Sequence, residues 1–323
     1  MPKKFVSETG LGDSTKEGGR RAIKLGFNPK SGYGVGVEIT KSGLHVCIAD
    51  LDGNIDYLKR AEIPADRESI HAYIVKSLDE IEVPMDKVIS LGFSIPGLTN
   101  SVDGIIVDAP ELKWEQVPFV AEMKRYFDKP IYINNDVNCS ALAERWIGAA
   151  QNIDDFVYIH IGAGVGSAIV ANGSLVHGKD YMAGELGYLV LEEDLLHRNF
   201  NNLGEYGVFD KKVSGQALAQ YASSVEALFA EARRGAEASS RVVNRFVNHL
   251  SLGIANIVSL LNPEKVIIGG EVSRFMQPVV EQIQSTVSAI TPIRTAIGLS
   301  GLGEEAGALG AISFAFEQEK SVI

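Results

Sequence analysis

The chain has 323 residues, enough for two domains of about 150 residues each, and a composition of 46% hydrophobic and 22% charged residues indicates a globular protein. Two cysteines, Cys47 and Cys139, exclude a disulfide framework and a cysteine-rich zinc site. No apolar stretch is long enough to span a membrane, and no apolar segment follows the basic start, so we expect a cytoplasmic protein with no membrane partner.

Charge is divided unevenly along the chain. Residues 1–30 carry seven Lys or Arg against three acids, a net of +4, whereas the remainder carries a net of −15. An acidic body repels phosphate backbones, so nucleic-acid binding by the body is not expected. The basic start is either an ordinary solvated tail or part of a nucleic-acid-binding module, and charge alone favours the tail.

The first 33 residues belong to neither of the two α/β halves that the rest of the sequence predicts. Residues 5–10 and 21–27 predict the two strands of a β-hairpin, with a polar, glycine-rich stretch between them. A lone hairpin cannot bury a core of its own.

A weak internal repeat follows the hairpin. Residues 35–39, 44–50 and 54–59 predict three strands joined by turns, the second turn being Asp52-Gly53. The same plan recurs at residues 156–161, 167–171 and 174–176. Further patterns predict helices at 68–80, 138–148 and 243–261, and strands at 88–94, 131–134 and 265–268. We therefore predict two duplicated α/β halves, 34–135 and 136–323, around a cleft, where small ligands commonly bind.

One polar motif falls where a strand gives way to a helix. Asn134-Asn135-Asp136 occupies the position where α/β folds place ligands. Amide and carboxylate groups can grip a polyol, and Asp136 could take a hydroxyl proton as a general base. The alternative is a helix N-cap, because Asn and Asp are favoured there. The motif alone leaves both interpretations open.

Glycine-rich turns supply the other candidates. The turn with Gly162, Gly164 and Gly166 could bring backbone N–H groups to a phosphate, although a plain tight turn explains it equally well. Gly269-Gly270 could face a nucleotide base or merely join strand to helix. Glu185, between glycines, presents one carboxylate, which alone favours a solvated turn. The histidines show no metal-ligand spacing.

The order of these motifs resembles the ROK family, which groups sugar-responsive bacterial repressors with sugar kinases. The resemblance covers residues 34–318 and rests on residues 92–97, Asn135-Asp136, 161–166, 183–187 and Gly269-Gly270. It implies a duplicated actin/hexokinase-like, ribonuclease H-like α/β fold. The sugar-binding residues it implies are Gly97, Asn135, Asp136, Glu185, Tyr188 and Asp210. It also implies, more weakly, phosphate or nucleotide contacts at Gly162, Gly164, Gly166, Gly269 and Gly270, with Asp136 as the catalytic base only in a kinase.

The N-terminal arm is similar to part of the repressors. Residues 5–28, with Gly18-Gly19-Arg20-Arg21, resemble the wing of their winged helix-turn-helix domain. The recognition helix of that domain would lie upstream of Met1. DNA is therefore expected as a partner only through a helix-turn-helix that is absent from this chain.

One departure from the family concerns ATP. Family kinases carry Asp-x-Gly-Gly-Thr in the first turn, where the acid and the glycines contact the ATP phosphates and magnesium. The corresponding stretch is Glu38-Ile39-Thr40-Lys41-Ser42, without either glycine. Positioning and charge stabilisation supply most of phosphoryl-transfer catalysis, so this loss argues against efficient use of ATP. Asp136 does not discriminate, because family repressors keep it for sugar binding.

A second departure concerns zinc, which the family binds through one His and three Cys. Tyr188, Asn201, Leu203 and Val208 stand at those positions, and none is a strong zinc ligand. Asp210 replaces the family's sugar-contacting glutamate and is one methylene shorter. We predict no zinc and no other cofactor, with ATP and magnesium needed only in a kinase.

Three functions remain open. The first is the sugar-sensing, effector-binding and oligomerisation domain of a ROK-type transcriptional regulator, a homodimer or homotetramer that binds a sugar or sugar phosphate. The second is an ATP-dependent sugar kinase with an atypical phosphate-binding turn. The third is a relic that binds neither ligand and serves only in assembly.

Overall fold

A computed structural model describes the fold for residues 5–11, 21–41, 43–62, 67–80, 83, 85–202 and 205–320. The strands are β1 (Val6–Leu11), β2 (Ile23–Phe27), β3 (Tyr33–Thr40), β4 (Gly43–Asp50), β5 (Ile55–Ala61), β6 (Val88–Ile95), β7 (Leu98–Asn100), β8 (Ile105–Ala109), β9 (Trp114–Val117), β10 (Ile131–Asn135), β11 (Phe156–Ile161), β12 (Val165–Ala171), β13 (Ser174–Leu175), β14 (Lys265–Gly269) and β15 (Ala296–Leu299). The helices are α1 (Arg67–Asp79), α2 (Phe119–Met123), α3 (Asp136–Ile147), α4 (Glu192–Leu196), α5 (Asp210–Val213), α6 (Gly215–Leu218), α7 (Val225–Arg233), α8 (Glu237–Leu261), α9 (Val280–Ile290) and α10 (Ala306–Lys320).

The first half is built on a five-stranded sheet in the order β10-β6-β3-β4-β5. The strands β3, β4 and β5 form an antiparallel meander, and β6 and β10 add in parallel beside β3. Every apolar side chain of β3 is buried, which is typical of a central strand covered on both faces. A small antiparallel sheet, β7-β8-β9, follows β6.

The second half repeats this plan. Its sheet has the order β13-β12-β11-β14-β15, with β11, β12 and β13 antiparallel and β14 and β15 in parallel beside β11. The helix α8 buries one face over most of its length and ends at Asn262, whose φ of 48° is left-handed. The two matching strand orders confirm the duplicated α/β fold.

The helix α10 belongs physically with the first sheet, although it lies in the stretch 136–323 assigned to the second half. It packs against β3, β6, β10 and α3. A Cβ on Gly36 would lie 2.0 Å from the carbonyl oxygen of Ala308, and one on Gly92 would lie 1.9 Å from that of Ala311. Only glycine allows the helix to approach these two strands so closely.

The N-terminal hairpin forms as predicted from β1 and β2, paired antiparallel. Val6, Ile23, Leu25 and Phe27 are each at least half exposed, so the hairpin has no core of its own. Gly18, Gly19 and Arg20, which help to carry its resemblance to a wing, lie outside the described residues. Within the described part of the chain, no helix is both long enough and apolar enough to cross a membrane.

Candidate functional site

A cavity of about 190 Å³ lies between the two halves, at the ends of β6 and β10 and beside β12. It is lined by Gly97, Leu98, Asn135, Val137, Asn138, Gly166, Ser167, Tyr181, Ala183, Gly184 and Glu185. Three of the six predicted sugar-binding residues, Gly97, Asn135 and Glu185, therefore share one cavity. The strand-to-helix position of Asn135 is what brings it to the cleft.

The Asn135 side chain caps α3 and also ties the cavity wall together. Its amide oxygen accepts hydrogen bonds from the backbone N–H of Val137 at 2.9 Å and of Asn138 at 3.2 Å. Its amide nitrogen donates to the carbonyl oxygen of Gly97 and to Oδ1 of Asp136, both at 2.9 Å. These bonds use both donors and two acceptor positions of the amide. The N-cap interpretation is therefore correct, and the same side chain positions Asp136.

Asp136 lies at the first turn of α3, half-buried beside the cavity. Its Oδ1 accepts from Asn135 and from the N–H of Val137 at 2.9 Å, while Oδ2 accepts no hydrogen bond from the described residues. Burial raises the pKa of Asp136 to about 6, the charge of His160 opposes the rise, and Glu38 adds to it. A carboxyl group of this kind can accept a hydrogen bond from a sugar hydroxyl or take its proton.

His160 and Glu271 cover the glycine turn between β11 and β12. His160 Nε2 lies 3.6 Å from Glu271 Oε2. A Cβ on Gly162 would lie 2.5 Å from Glu271 Oε2 and 2.9 Å from His160 Nε2, so both side chains pack directly on this glycine. Burial lowers the pKa of His160, but the hydrogen bond to Glu271 and the charge of Asp136 outweigh it and raise the pKa overall.

The other predicted phosphate glycines are also in close contact with protein atoms. A Cβ on Gly164 would lie 3.2 Å from Asp210 Oδ1, and one on Gly166 would lie 3.1 Å from Val137 Cγ2. A Cβ on Gly269 would lie 2.0 Å from the Tyr158 hydroxyl, and one on Gly270 would lie 2.6 Å from the Ile161 carbonyl oxygen. The two glycine groups are therefore neighbours at one end of the second sheet.

In the first half, the equivalent turn between β3 and β4 is closed by side chains. Thr40 Oγ1 accepts from the N–H of Gly43 at 3.1 Å. Glu38 Oε2 lies 3.0 Å from His45 Nδ1, and this hydrogen bond raises the pKa of His45. The other carboxylate oxygen of Glu38 rests against Gly307 at the start of α10.

Asp210 does not line the cavity and serves instead as a buried anchor. Its Oδ1 accepts from the N–H of Val165 at 2.6 Å, and its Oδ2 accepts from the N–H of Gly207 at 2.7 Å. Burial raises the pKa of this carboxyl, although both backbone hydrogen bonds oppose the rise. Asp210 thus joins the glycine turn to the segment before α5.

Glu185 stands at the exposed edge of the cavity, and partial burial together with the charge of Asp210 raises its pKa. Tyr188, also predicted to bind sugar, does not line the cavity. Its ring packs beside Gly207, where a Cβ would lie 2.8 Å from Tyr188 Cδ1.

The segment that resembles a zinc site is held by an amide side chain. Asn201 Nδ2 donates to the carbonyl oxygen of Tyr188 at 2.7 Å, and Asn201 Oδ1 accepts from the N–H of Val208 at 2.9 Å. Asn201 therefore joins three of the four positions that carry zinc ligands in the family, while Leu203 and Gly204 lie outside the described residues. Among the described residues, no group of three or more His, Cys, Asp or Glu could hold a metal ion. The residues present do not fit zinc.

Sequence reasoning missed two kinds of site residue. The sequence assigns His160 no role, because the histidines show no metal-ligand spacing, yet His160 interacts with both Asp136 and Glu271. Tyr181 and Asn138 line the cavity without belonging to any motif. The left-handed φ of 60° at Tyr181 is visible only in the structure.

A larger cavity of about 350 Å³ lies among α4, α5, α6 and α8, and none of the predicted site residues lines it. Two of its basic side chains already have partners: Lys212 Nζ lies 3.0 Å from Asp194 Oδ1, and Arg245 Nη2 donates to the Tyr221 hydroxyl at 2.8 Å. The cleft cavity is therefore the better candidate for a ligand site.

Known proteins share this architecture. The ROK family profile matches residues 34–318. The chain is 26% identical to a xylose repressor of Caldicellulosiruptor bescii over 96% of the chain and 84% of that protein. It is 28% identical to a glucokinase of Halalkalibacterium halodurans over 89% of the chain and 96% of that protein.

A solved structure shares the fold. It is that of a ROK family transcriptional regulator, a homologue of the Escherichia coli MLC protein, with a TM-score of 0.80 and 23% identity over 97% of this chain and 85% of that one. The chain belongs to the ROK family, with its duplicated actin/hexokinase-like fold.

Proposed function

We propose that the chain is the sugar-sensing part of a ROK-type transcriptional regulator. The observation that carries the proposal is that the side chains of His160 and Glu271 cover Gly162. A Cβ on Gly162 would lie 2.5 Å from Oε2 of Glu271. Phosphate binding at a glycine turn needs open backbone N–H groups, and the N–H of Gly162 already donates to Gly164 at 2.9 Å. The turn is poorly suited to ATP phosphates.

The cavity itself suits an uncharged sugar. Asp136 offers a free carboxylate oxygen, and Asn138 and Glu185 add polar groups to the wall. Acidic and amide groups recognise hydroxyls, but the acidic ones repel phosphate. A neutral sugar is therefore favoured over a sugar phosphate, and D-xylose is the first to test because a relative is named xylose repressor.

The N-terminal hairpin also favours a regulator. Residues 5–28 resemble the wing of the repressors' winged helix-turn-helix domain, and β1 and β2 form a hairpin there. In this proposal sugar binding favours a closed form of the cleft. Closure acts through a homodimer or homotetramer interface and changes the spacing of the DNA-binding arms.

The first experiment is calorimetric titration of the purified protein with D-xylose and D-glucose. We expect at least one to bind, to raise the melting temperature, and to lose binding in Asp136→Ala. A ligand at 100 times its Kd adds about 2.7 kcal/mol to the free energy of unfolding. The exposed Asp128→Asn is the matched control and should bind as the wild type does. Absence of binding by every sugar tested would favour a relic that serves only in assembly.

The sugar kinase is the alternative, and the raised pKa of Asp136 is compatible with it. A carboxyl group with a pKa of about 6 at the first turn of α3 is suited to a general base. An ADP-release assay with the same sugars tests it. Turnover that Asp136→Asn abolishes would establish the kinase and overturn the regulator.

A further inference from the structure

Tyr181 is a cavity residue that no sequence motif marks. It borders the cleft cavity together with Asn138 and Glu185. The loop that carries it is closed by a hydrogen bond from the N–H of Ala183 to the carbonyl oxygen of His177, at 3.1 Å. The Tyr181 ring contacts the His177 ring at nearly edge-to-face geometry, with 5.9 Å between the centroids. The aromatic side chain is therefore held in place at the cavity.

The backbone of Tyr181 is strained. Its φ is 60°, in the left-handed region, where a bulky side chain is a genuine outlier. The neighbouring left-handed positions in this stretch, Gly178 and Gly184, carry glycine, which adopts the conformation without cost. Residues held in such conformations cluster at ligand sites. An aromatic residue where glycine would be easier indicates that the ring has a use.

Among the described residues no hydrogen bond uses the Tyr181 hydroxyl, and this hydroxyl is not one of the buried polar groups that lack a partner. Burial lowers the pKa of His177, so the imidazole beside it is neutral at pH 7 and adds no charge to this wall. The cavity volume of about 190 Å³ is below the ~300 Å³ at which pockets for drug-sized ligands begin. This wall therefore offers an aromatic surface and one hydroxyl to a small, uncharged ligand.

We propose that Tyr181 is a specificity-determining residue that recognises a single monosaccharide in its pyranose form. The ring packs on the face of the sugar where C–H bonds are concentrated, and the hydroxyl exchanges a hydrogen bond with a sugar hydroxyl. This inference rests on the proposed function, because it assigns the ligand of the same cavity. The amide of Asn138 and the carboxylate of Glu185 supply the polar contacts.

The test uses three substitutions at this position and one elsewhere. Glycine relieves the backbone strain, so Tyr181→Gly should keep or raise the melting temperature, yet raise the Kd for D-xylose or D-glucose by about ten-fold or more. Tyr181→Asn, which also tolerates the left-handed region, should behave in the same way. Tyr181→Phe keeps the ring and should lose only a few-fold in affinity. Arg198→Gly is the control, since Arg198 is exposed with a φ of 55° and lies outside the cavity.

Three results would overturn the inference. If Tyr181→Gly binds sugar as tightly as the wild type while Asp136→Ala does not bind, the ring does not recognise the ligand and the proposed function stands. If Tyr181→Phe loses as much affinity as Tyr181→Gly, the aromatic ring is not the recognising surface. If the wild type binds none of the sugars, the proposed function fails and this inference fails with it.

Discussion

The two halves of the molecule open with the same hairpin, yet each half closes the turn of that hairpin in a different way. In the first half, the turn between β3 and β4 has lost the glycines found in family kinases, and Thr40 closes it with its own hydroxyl. In the second half, the turn between β11 and β12 keeps its glycines, but the side chains of His160 and Glu271 lie on Gly162. Both turns that would face phosphates are closed, one by substitution within the turn and the other by side chains from outside it.

The comparison teaches that retained glycines do not establish a phosphate site. The second turn keeps Gly162, Gly164 and Gly166 because protein atoms approach all three closely. Close packing requires glycine just as a phosphate does. At the end of the first turn Gly43 is kept for the same reason, because a Cβ there would lie 2.0 Å from the carbonyl oxygen of Ala61.

The largest expected effect is at Asp210, which anchors only the second turn. Asp210→Ala should lower the free energy of unfolding by about 3 kcal/mol, because two buried backbone N–H groups lose their acceptor. Asp210→Asn keeps one acceptor oxygen and should lose less. Urea unfolding measures both. A loss below about 1 kcal/mol for the alanine variant would show that the turn holds without its anchor.

The second prediction concerns the pH dependence of stability, because one charged residue from each half, Glu38 and His160, shifts the pKa of Asp136. Its pKa is raised, to about 6, so the folded protein binds the proton more tightly than the unfolded chain does. The contribution of Asp136 to stability should therefore fall by about 2 kcal/mol as pH rises from about 4 to about 6, and change little above that.

Two substitutions that each remove a charged group distinguish the effects of the two halves on the pKa of Asp136. Asp136→Asn should remove this contribution and leave the smaller ones of Asp210 and Glu185, whose pKa values are also raised. Glu38→Gln, in the first half, should move the fall due to Asp136 to lower pH, and His160→Gln, in the second half, should move it to higher pH. Unfolding measured across pH 4 to 8 checks all three, and movement of both in one direction would contradict the assignment.

The third prediction concerns Asn201, which braces the segment next to the second turn. Asn201→Ala removes two hydrogen bonds and should lower the free energy of unfolding by about 1–2 kcal/mol. The melting temperature of the wild type should be unchanged by a metal chelator. A marked fall on chelation would mean that a metal, and not the amide, holds this segment.

The fourth prediction addresses the side chains that cover the second turn. Gly162→Ala should cost about 1 kcal/mol of stability, because the new methyl group meets Glu271 and His160, and the largely exposed Glu271 side chain can move aside. Glu271→Ala in the same chain should recover part of this loss, which a double-mutant cycle measures. Lys41→Ala, exposed in the first turn, is the matched control and should change little. Simple additivity of the two second-turn changes would show that they do not touch.

The smallest effect is expected in the first turn. Thr40→Ala removes the hydroxyl that bonds Gly43 and should cost about 0.5–1 kcal/mol, because the bond is only partly buried. Thr40→Ser keeps the hydroxyl and should cost less. If Thr40→Ala were as damaging as Asp210→Ala, the two turns would not differ in the way described.

Much of the fold could be predicted from the sequence because local patterns decide it. Alternating apolar residues and the Asp52-Gly53 turn predict the first meander, and the strand predicted at 88–94 is β6, Val88–Ile95. The end predicted at residue 261 for the third helix is confirmed, and the left-handed φ of Asn262 closes that helix. The predicted start of α3 is two residues late, because Asn135 caps the helix and Asp136 opens it.

The remainder depends on contacts between distant parts of the chain. The packing of α10 on the first sheet joins residues more than 200 positions apart, and no local pattern encodes it. His160 gains its role only from Asp136 and Glu271, which come from other elements. Likewise, Asp210 and Tyr188 follow the family's order of motifs but lie outside the cavity, because Asp210 accepts from the N–H of Gly207 and the Tyr188 ring packs beside Gly207.

The position of α10 also bears on how the protein is made. Synthesis runs from the N-terminus, so the strands of the first sheet leave the ribosome long before residues 306–320 do. Until then Gly36 and Gly92 face no helix, and the apolar groove above them stays uncovered. The first half to be synthesised is thus among the last to be completed, and its exposed sheet is where a nascent chain would need protection from aggregation.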